Sequence, residues 1–151
     1  MQSETPYTSD VFAKFFVFYM ESEQIIVLKI GTHTLIDEAG NIRPTIISSL
    51  FTAALEAKKG GSKVLLVTSG AVGLGRREFA GSNPARAVAG GVGQAQLIAE
   101  YVTMAKEFNI TISQILLSRP HFLEREHFLT MQTLIRQMCS AGVIPIINEN
   151  D

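Results

Sequence analysis

One cysteine, Cys139, stands among the 151 residues. A lone thiol has no internal partner, so no disulfide framework can hold this chain, and a reducing compartment is permitted. On its apolar stretch Cys139 reads as a small core residue. Basic residues are not in excess: 13 Lys and Arg face 14 Asp and Glu, for a net charge of −1. That balance argues against nucleic acid or an anionic membrane as partner. No apolar run reaches the roughly 20 residues of a bilayer-spanning helix. The longest candidate, Val11 to Met20, is interrupted by Lys14, and the residues before it include Glu4 and Asp10 but no basic group, unlike a secretory leader. We read residues 1–23 as an N-terminal extension, with Met20 as an alternative start, and expect a cytoplasmic protein without a membrane partner.

Familiar catalytic signatures are missing as well. There is no G-x-x-x-x-G-K-[ST], which excludes a standard P-loop. Gly90-Gly-Val-Gly93 is not a dinucleotide fingerprint, because Gln96 takes the place of its last glycine. Val67 stands where a nucleophile elbow would need a glycine before Ser69. His33, His121 and His127 lack metal-ligand spacing, so they read as structural or solvent-facing, and no resident metal site is expected.

What is present is a regular alternation. An apolar fraction of 46% with 18% charged residues fits one globular domain with a real core. Ile25 to Ile30 is a β-branched run closed by Gly31, a buried-strand pattern. Pro44 opens a helix whose apolar stripe is Ile46, Ile47, Leu50, Phe51, Ala54 and Leu55, and Gly60-Gly61 stops it. Val64–Val67 is a second strand. A small-residue region holding Gly70, Gly73, Gly75, Gly81, Gly90, Gly91 and Gly93 follows, either a tight helix-packing region or a route for ligand. Leu97, Ile98, Tyr101, Val102, Ala105 and Phe108 mark a second long helix, and Ile110 to Leu117 a third strand. Phe128, Met131, Leu134, Ile135 and Met138 mark a third helix before Gly142, and Val143 to Ile147 is the fourth strand. Strands that are apolar throughout, alternating with helices, predict an α/β fold with a parallel sheet covered on both faces.

In such a sheet the carboxyl ends of the strands share one edge, where ligands bind. Lys29-Ile-Gly-Thr32, Thr68-Ser69-Gly70, Ser118-Arg119 and Asn148-Glu-Asn-Asp151 all fall there. Lys29 is expected to be costly inside an apolar strand unless it has a function. Its ammonium suits phosphate oxygens, with Gly31 allowing close backbone approach. Backbone N–H groups around Ser69, Gly70 and Ala71 can hold an anion. Asn148, Asn150 and Asp151 offer donors and acceptors to a ligand carrying both ammonium and carboxylate. Together they describe a site for a phosphate and an amino acid.

Five blocks carry a resemblance: VLKIGTHTL (27–35), VTSGAVGLGR (67–76), VGQAQLIAEY (92–101), QILLSR (114–119) and GVIPIINEND (142–151). In this order they resemble the glutamate 5-kinase branch of the amino-acid kinase family over residues 24–151. The resemblance implies a three-layer αβα sandwich with a mainly parallel sheet, a truncated amino-acid kinase fold. It implies ATP-dependent phosphorylation of the L-glutamate side chain to L-glutamate 5-phosphate, the first step of proline biosynthesis, with Mg2+. Lys29 would be the catalytic lysine on the ATP phosphates, with Gly31 and Thr32 beside it. Ser69, Gly70, Ala71, Asn148 and Asp151 would hold L-glutamate. Proline would be a feedback ligand, and the full-length form a homo-oligomer. His33 stands where the family usually has a small hydroxyl residue. The family's second half, with the nucleotide groove, a further lysine and in many members a PUA domain, has no match here. The expectation is therefore a glutamate-binding half, inactive alone and prone to self-association through an unpaired apolar sheet edge. The alternatives are a non-catalytic glutamate- or proline-binding module and one half of a split kinase.

Overall fold

Alternation along the central strands decides which side of the sheet each residue faces, and helices cover both sides. The computed structural model describes residues 16–20, 24–79 and 82–150, the first group by backbone alone. The strands are β1 (Phe16–Met20), β2 (Ile25–Lys29), β3 (Lys63–Val67), β4 (Ile112–Leu117) and β5 (Ile144–Glu149), in the sheet order β1-β2-β3-β5-β4. β2, β3, β5 and β4 are parallel, with Val27 opposite Leu65, Leu66 opposite Ile146 and Ile115 opposite Ile147. These are the strands the sequence predicts. β1 is an addition: within the segment read as an extension, it pairs antiparallel to β2, with Phe16 opposite Lys29. Its sequence FVFYM is rich in strand-favouring aromatic and branched residues, and the outer edge of β2 offers unpaired backbone groups. Residues 1–15 and 21–23 of the extension lie outside the described residues.

One face of the sheet takes Ile26, Leu28, Val64, Leu66, Ile144 and Ile146. Against it pack α2 (Pro44–Lys59) and α4 (Arg86–Glu107), through Ile47, Leu50, Phe51, Leu97 and Tyr101. The Phe51 ring meets Tyr101 edge-on at 6.1 Å and Phe108 at 5.9 Å. Burying such a side chain stabilises the fold by about 1.5–3 kcal/mol. Val102, expected in the α4 stripe, is 38% exposed, because one step past Tyr101 rotates it off the core face. The opposite face takes Ile25, Leu65, Ile115 and Ile147, covered by Met131, Ile135 and Met138 of α6 (Arg125–Ser140). This layer is thinner. No α6 residue is fully buried, and Phe128 and Leu134, read as core markers, stay exposed.

Most of the small-residue region falls in α3 (Ala71–Arg77) and the first two turns of α4, which begins well before Leu97, while Gly81 lies outside the described residues. Glycine disfavours a helix by about 1 kcal/mol against alanine, so sequence periodicity does not reveal these turns. Close packing overrides that cost. A Cβ on Gly93 would lie 1.7 Å from the Ala71 carbonyl oxygen, and one on Gly75 would lie 1.8 Å from that of Ala89. Those two glycines let the α3 and α4 backbones touch, so the run is a packing seam. No helix among the described residues is long and apolar enough to cross a membrane.

Candidate functional site

The order β3-β5-β4 reverses the chain's progress across the sheet, and ligands in open α/β sheets bind at the carboxyl edge beside such a reversal. Four loops meet there. The first follows β2, where the Ile30 N–H donates to the Val67 carbonyl (2.8 Å) and Gly31 leads into α1 (Thr32–Leu35). Gly31 has φ −88°, which any residue adopts, and a Cβ there would meet Lys29 Nζ at an ordinary contact of 3.5 Å, so nothing among the described residues requires glycine at this position. Lys29 itself is exposed at the end of β2. The burial cost argued from its apolar strand therefore does not apply, because the last side chain of a strand clears the helix layers.

The second loop follows β3. Ser69 Oγ and Thr32 Oγ1 share a hydrogen bond of 3.0 Å, which ties the two loops together. Gly70 has φ +107°, a left-handed conformation that favours glycine, while the Ile36 Cδ1 that a Cβ would meet at 2.6 Å is a side-chain end that can shift. Ala71 is buried at the start of α3. Behind the loop, the buried Tyr101 donates its hydroxyl to Thr68 Oγ1 at 2.9 Å. Burial pushes the Tyr101 phenol up to about 12, against the opposing effect of that hydrogen bond.

The third and fourth loops follow β4 and β5. Thr68 N–H donates to the Ile147 carbonyl and Asn150 N–H to the Leu117 carbonyl, each at 2.8 Å, and Gln94 Nε2 donates to the Glu149 carbonyl at 2.9 Å. Asn148 is 6% exposed, and its buried Nδ2 has no hydrogen-bond partner among the described residues. A buried donor left unpaired costs about 1–3 kcal/mol. After β4, the Ser118 N–H donates to His121 Nδ1 (3.0 Å) at the start of α5 (Pro120–Leu123). His121 thus shapes a turn, and His127 faces Glu124 at 3.1 Å on the surface.

Two clefts flank this edge. One, of about 270 Å³, is lined by Thr32, Ser69, Gly70, Ala71, Arg76 and Asn148, with Arg86 and Glu149 at its rim. The other, of about 350 Å³, shares Ser69, Asn148 and Glu149 and adds Ser118 and Arg119. Of the predicted residues, Thr32, Ser69, Gly70, Ala71 and Asn148 thus come together in one cleft. Lys29 and Gly31 stand outside both linings, at the end of the strand next to β3. Asp151 lies outside the described residues. Arg86 approaches Glu149 at 3.7 Å, but both are well exposed, so the pair adds little stability. Among the described residues, Arg76 and Arg86 outnumber Glu149 in the first cleft, which suits it to an anion, while Arg119 and Glu149 balance in the second. The sequence reading missed Arg76 and Arg86, and also Gln94 and Tyr101. The last two have a signal: polar groups seven apart on the core face of an otherwise apolar helix. Among the described residues no three or more His, Cys, Asp or Glu side chains are grouped to hold a metal.

An open, mainly parallel sheet with a cleft at its carboxyl edge is the arrangement expected of the amino acid kinase family. That family matches residues 24–151, and the chain belongs to it. Within it, the similarity is to glutamate 5-kinases. The chain is 35% identical to the glutamate 5-kinase of Bacteroides thetaiotaomicron over 131 residues, 83% of this chain and 36% of that one. It is 38% identical to glutamate 5-kinase 1 of Bacillus subtilis over 136 residues, 85% and 37% of the respective chains. A glutamate 5-kinase of Chlorobaculum tepidum gives 35% over 131 residues, 83% and 36%. The chain thus spans little more than a third of the length of these relatives.

Proposed function

We propose that this chain carries the amino-acid side of a glutamate 5-kinase, which transfers the γ-phosphoryl group of ATP to the side-chain carboxylate of L-glutamate in proline biosynthesis. The observation that carries the reading is the cleft in which Ser69, the Gly70–Ala71 turn and Asn148 come together beside Arg76. A substrate carboxylate would meet hydroxyl, amide and guanidinium donors there. The fit extends to the nucleotide. Lys29 presents an exposed ammonium at the adjacent strand end. Magnesium would arrive on the ATP phosphates, where it supplies charge neutralisation.

The chemistry asks little of the protein beyond placement. The substrate carboxylate is ionised at neutral pH and is itself the nucleophile, so no general base is needed. Ser69 and Asn148 would fix it by hydrogen bonds, Asp151 would take the amino group, and Lys29 would face charge on the transferred phosphoryl oxygens. Residues 1–151 span little more than a third of the length of their relatives, and we expect them to bind L-glutamate without turning it over. Calorimetry with L-glutamate, L-proline and D-glutamate tests the reading. Saturable heat with the L-amino acids supports it, and no heat with any of them at millimolar concentration would overturn it. ATP-dependent formation of glutamate 5-phosphate by residues 1–151 would overturn the expectation of no turnover.

A further inference from the structure

One helix reaches both substrate loops. From α4, Tyr101 bonds Thr68, the residue before Ser69, while Gln94 bonds the carbonyl of Glu149, the residue after Asn148. The two lie seven residues apart, about two turns or ~10 Å along the helix, on the same face. Gln94 is 8% exposed, and its Oε1 also accepts from Gln114 Nε2 of the edge strand β4, at 3.4 Å. Gln94, Gln114, Thr68, Tyr101 and Asn148 surround a single small void beneath the cleft. Among the described residues, the buried polar atoms of this group have partners except Asn148 Nδ2.

The geometry points to Gln94 as a positioning residue for the amino-acid site. Its carboxamide holds the end of β5 against α4 by the Glu149 carbonyl and braces that hold through Gln114. Gln94 does not line either cleft and acts only through the loop. This inference rests on the glutamate-binding reading for its ligand, but its structural part stands apart from it.

The test uses the full 151-residue chain with Gln94→Met, which keeps the volume and removes both hydrogen bonds, and Gln94→Glu, which keeps the acceptor for Gln114 and places an acceptor against the Glu149 carbonyl. Two quantities are read: L-glutamate affinity by calorimetry, and hydrogen exchange at the Asn150 amide, whose bond to Leu117 reports the loop. Both variants should weaken L-glutamate binding by roughly tenfold or more, as loss of one buried hydrogen bond to a loop predicts, and should speed Asn150 exchange. Ile47→Val, which loosens the same core layer far from the loop, should change neither. Gln94 variants with wild-type affinity and wild-type Asn150 exchange overturn the inference. If the wild type binds no L-glutamate but the variants still release Asn150, the functional reading fails and the positioning role stands. If the wild type binds and Gln94→Met binds equally well, the positioning role fails and the functional reading stands. Should Gln94→Met not fold, Gln94→Glu together with Gln114→Met, which removes only the brace, decides the same question.

Discussion

Gly91 and Gly93 sit two residues apart in α4, yet alanine at each should have opposite effects. At Gly91 an added Cβ meets nothing within 4 Å. Replacing an exposed helical glycine there removes unfolded-state freedom and should stabilise by up to about 1 kcal/mol. For a chain of this size that raises Tm by roughly 2–4 °C. At Gly93 the Cβ would lie 1.7 Å from the Ala71 carbonyl oxygen, 2.6 Å from its carbon and 2.7 Å from the Gly75 nitrogen. All three are backbone atoms, so no rotamer change relieves the contact and the two helices must part. Overpacking of this kind costs about 1–3 kcal/mol, and more where backbone must move, which lowers Tm by roughly 3–10 °C. The displaced residue, Ala71, lines the cleft, so Gly93→Ala should also weaken L-glutamate binding while Gly91→Ala leaves it unchanged. Differential scanning calorimetry on the two variants is sufficient. Shifts of the same sign, or a Gly93→Ala protein as stable as wild type, would refute the account of the α3–α4 seam.

Asn148→Leu should raise stability by about 1–3 kcal/mol, because it removes an unpaired buried donor, while abolishing measurable L-glutamate binding; thermal melts and calorimetry read the two effects. Tyr101→Phe should cost about 1 kcal/mol in urea unfolding through its lost bond to Thr68. The Tyr101 phenol titrates near 12 in the fold against 10.0 when unperturbed. Its contribution is therefore fully present below pH 10 and lost as pH rises toward 12, by on the order of 2–3 kcal/mol, and Tyr101→Phe should flatten that alkaline loss. Lys29→Met should leave Tm within about 0.5 kcal/mol equivalent, as expected for an exposed side chain, and should leave L-glutamate affinity intact. Phe122 and Leu123 are 62% and 80% exposed beside the thin α6 layer; sedimentation should show self-association that Phe122→Ser with Leu123→Ser reduces.

The alternation of apolar strands with helical stripes was legible because it follows from period and length alone, and so was the edge on which the site lies. Ser69, Gly70, Ala71, Thr32 and Asn148 were legible as strand-end residues for the same reason. The helical start of α4 was not, since its glycines oppose helix locally and are selected by contact with α3, a tertiary effect. Lys29 was found by a premise that does not hold: its position at a strand end, and not burial, sets it apart. β1 was missed because an edge strand is defined by the neighbour it pairs with as much as by its own residues. Gln94 and Tyr101 were absorbed into an apolar stripe, where only their partners across the core reveal what they hold.

The account turns on L-glutamate occupying the cleft that Asn148 lines. The most direct measurement follows the side-chain amide resonances of Asn148 by nuclear magnetic resonance during titration with L-glutamate. The predicted result is a saturable shift of the Nδ2 protons whose midpoint coincides with the calorimetric one. Heat of binding without movement of those resonances, or no response of either at millimolar L-glutamate, would contradict it.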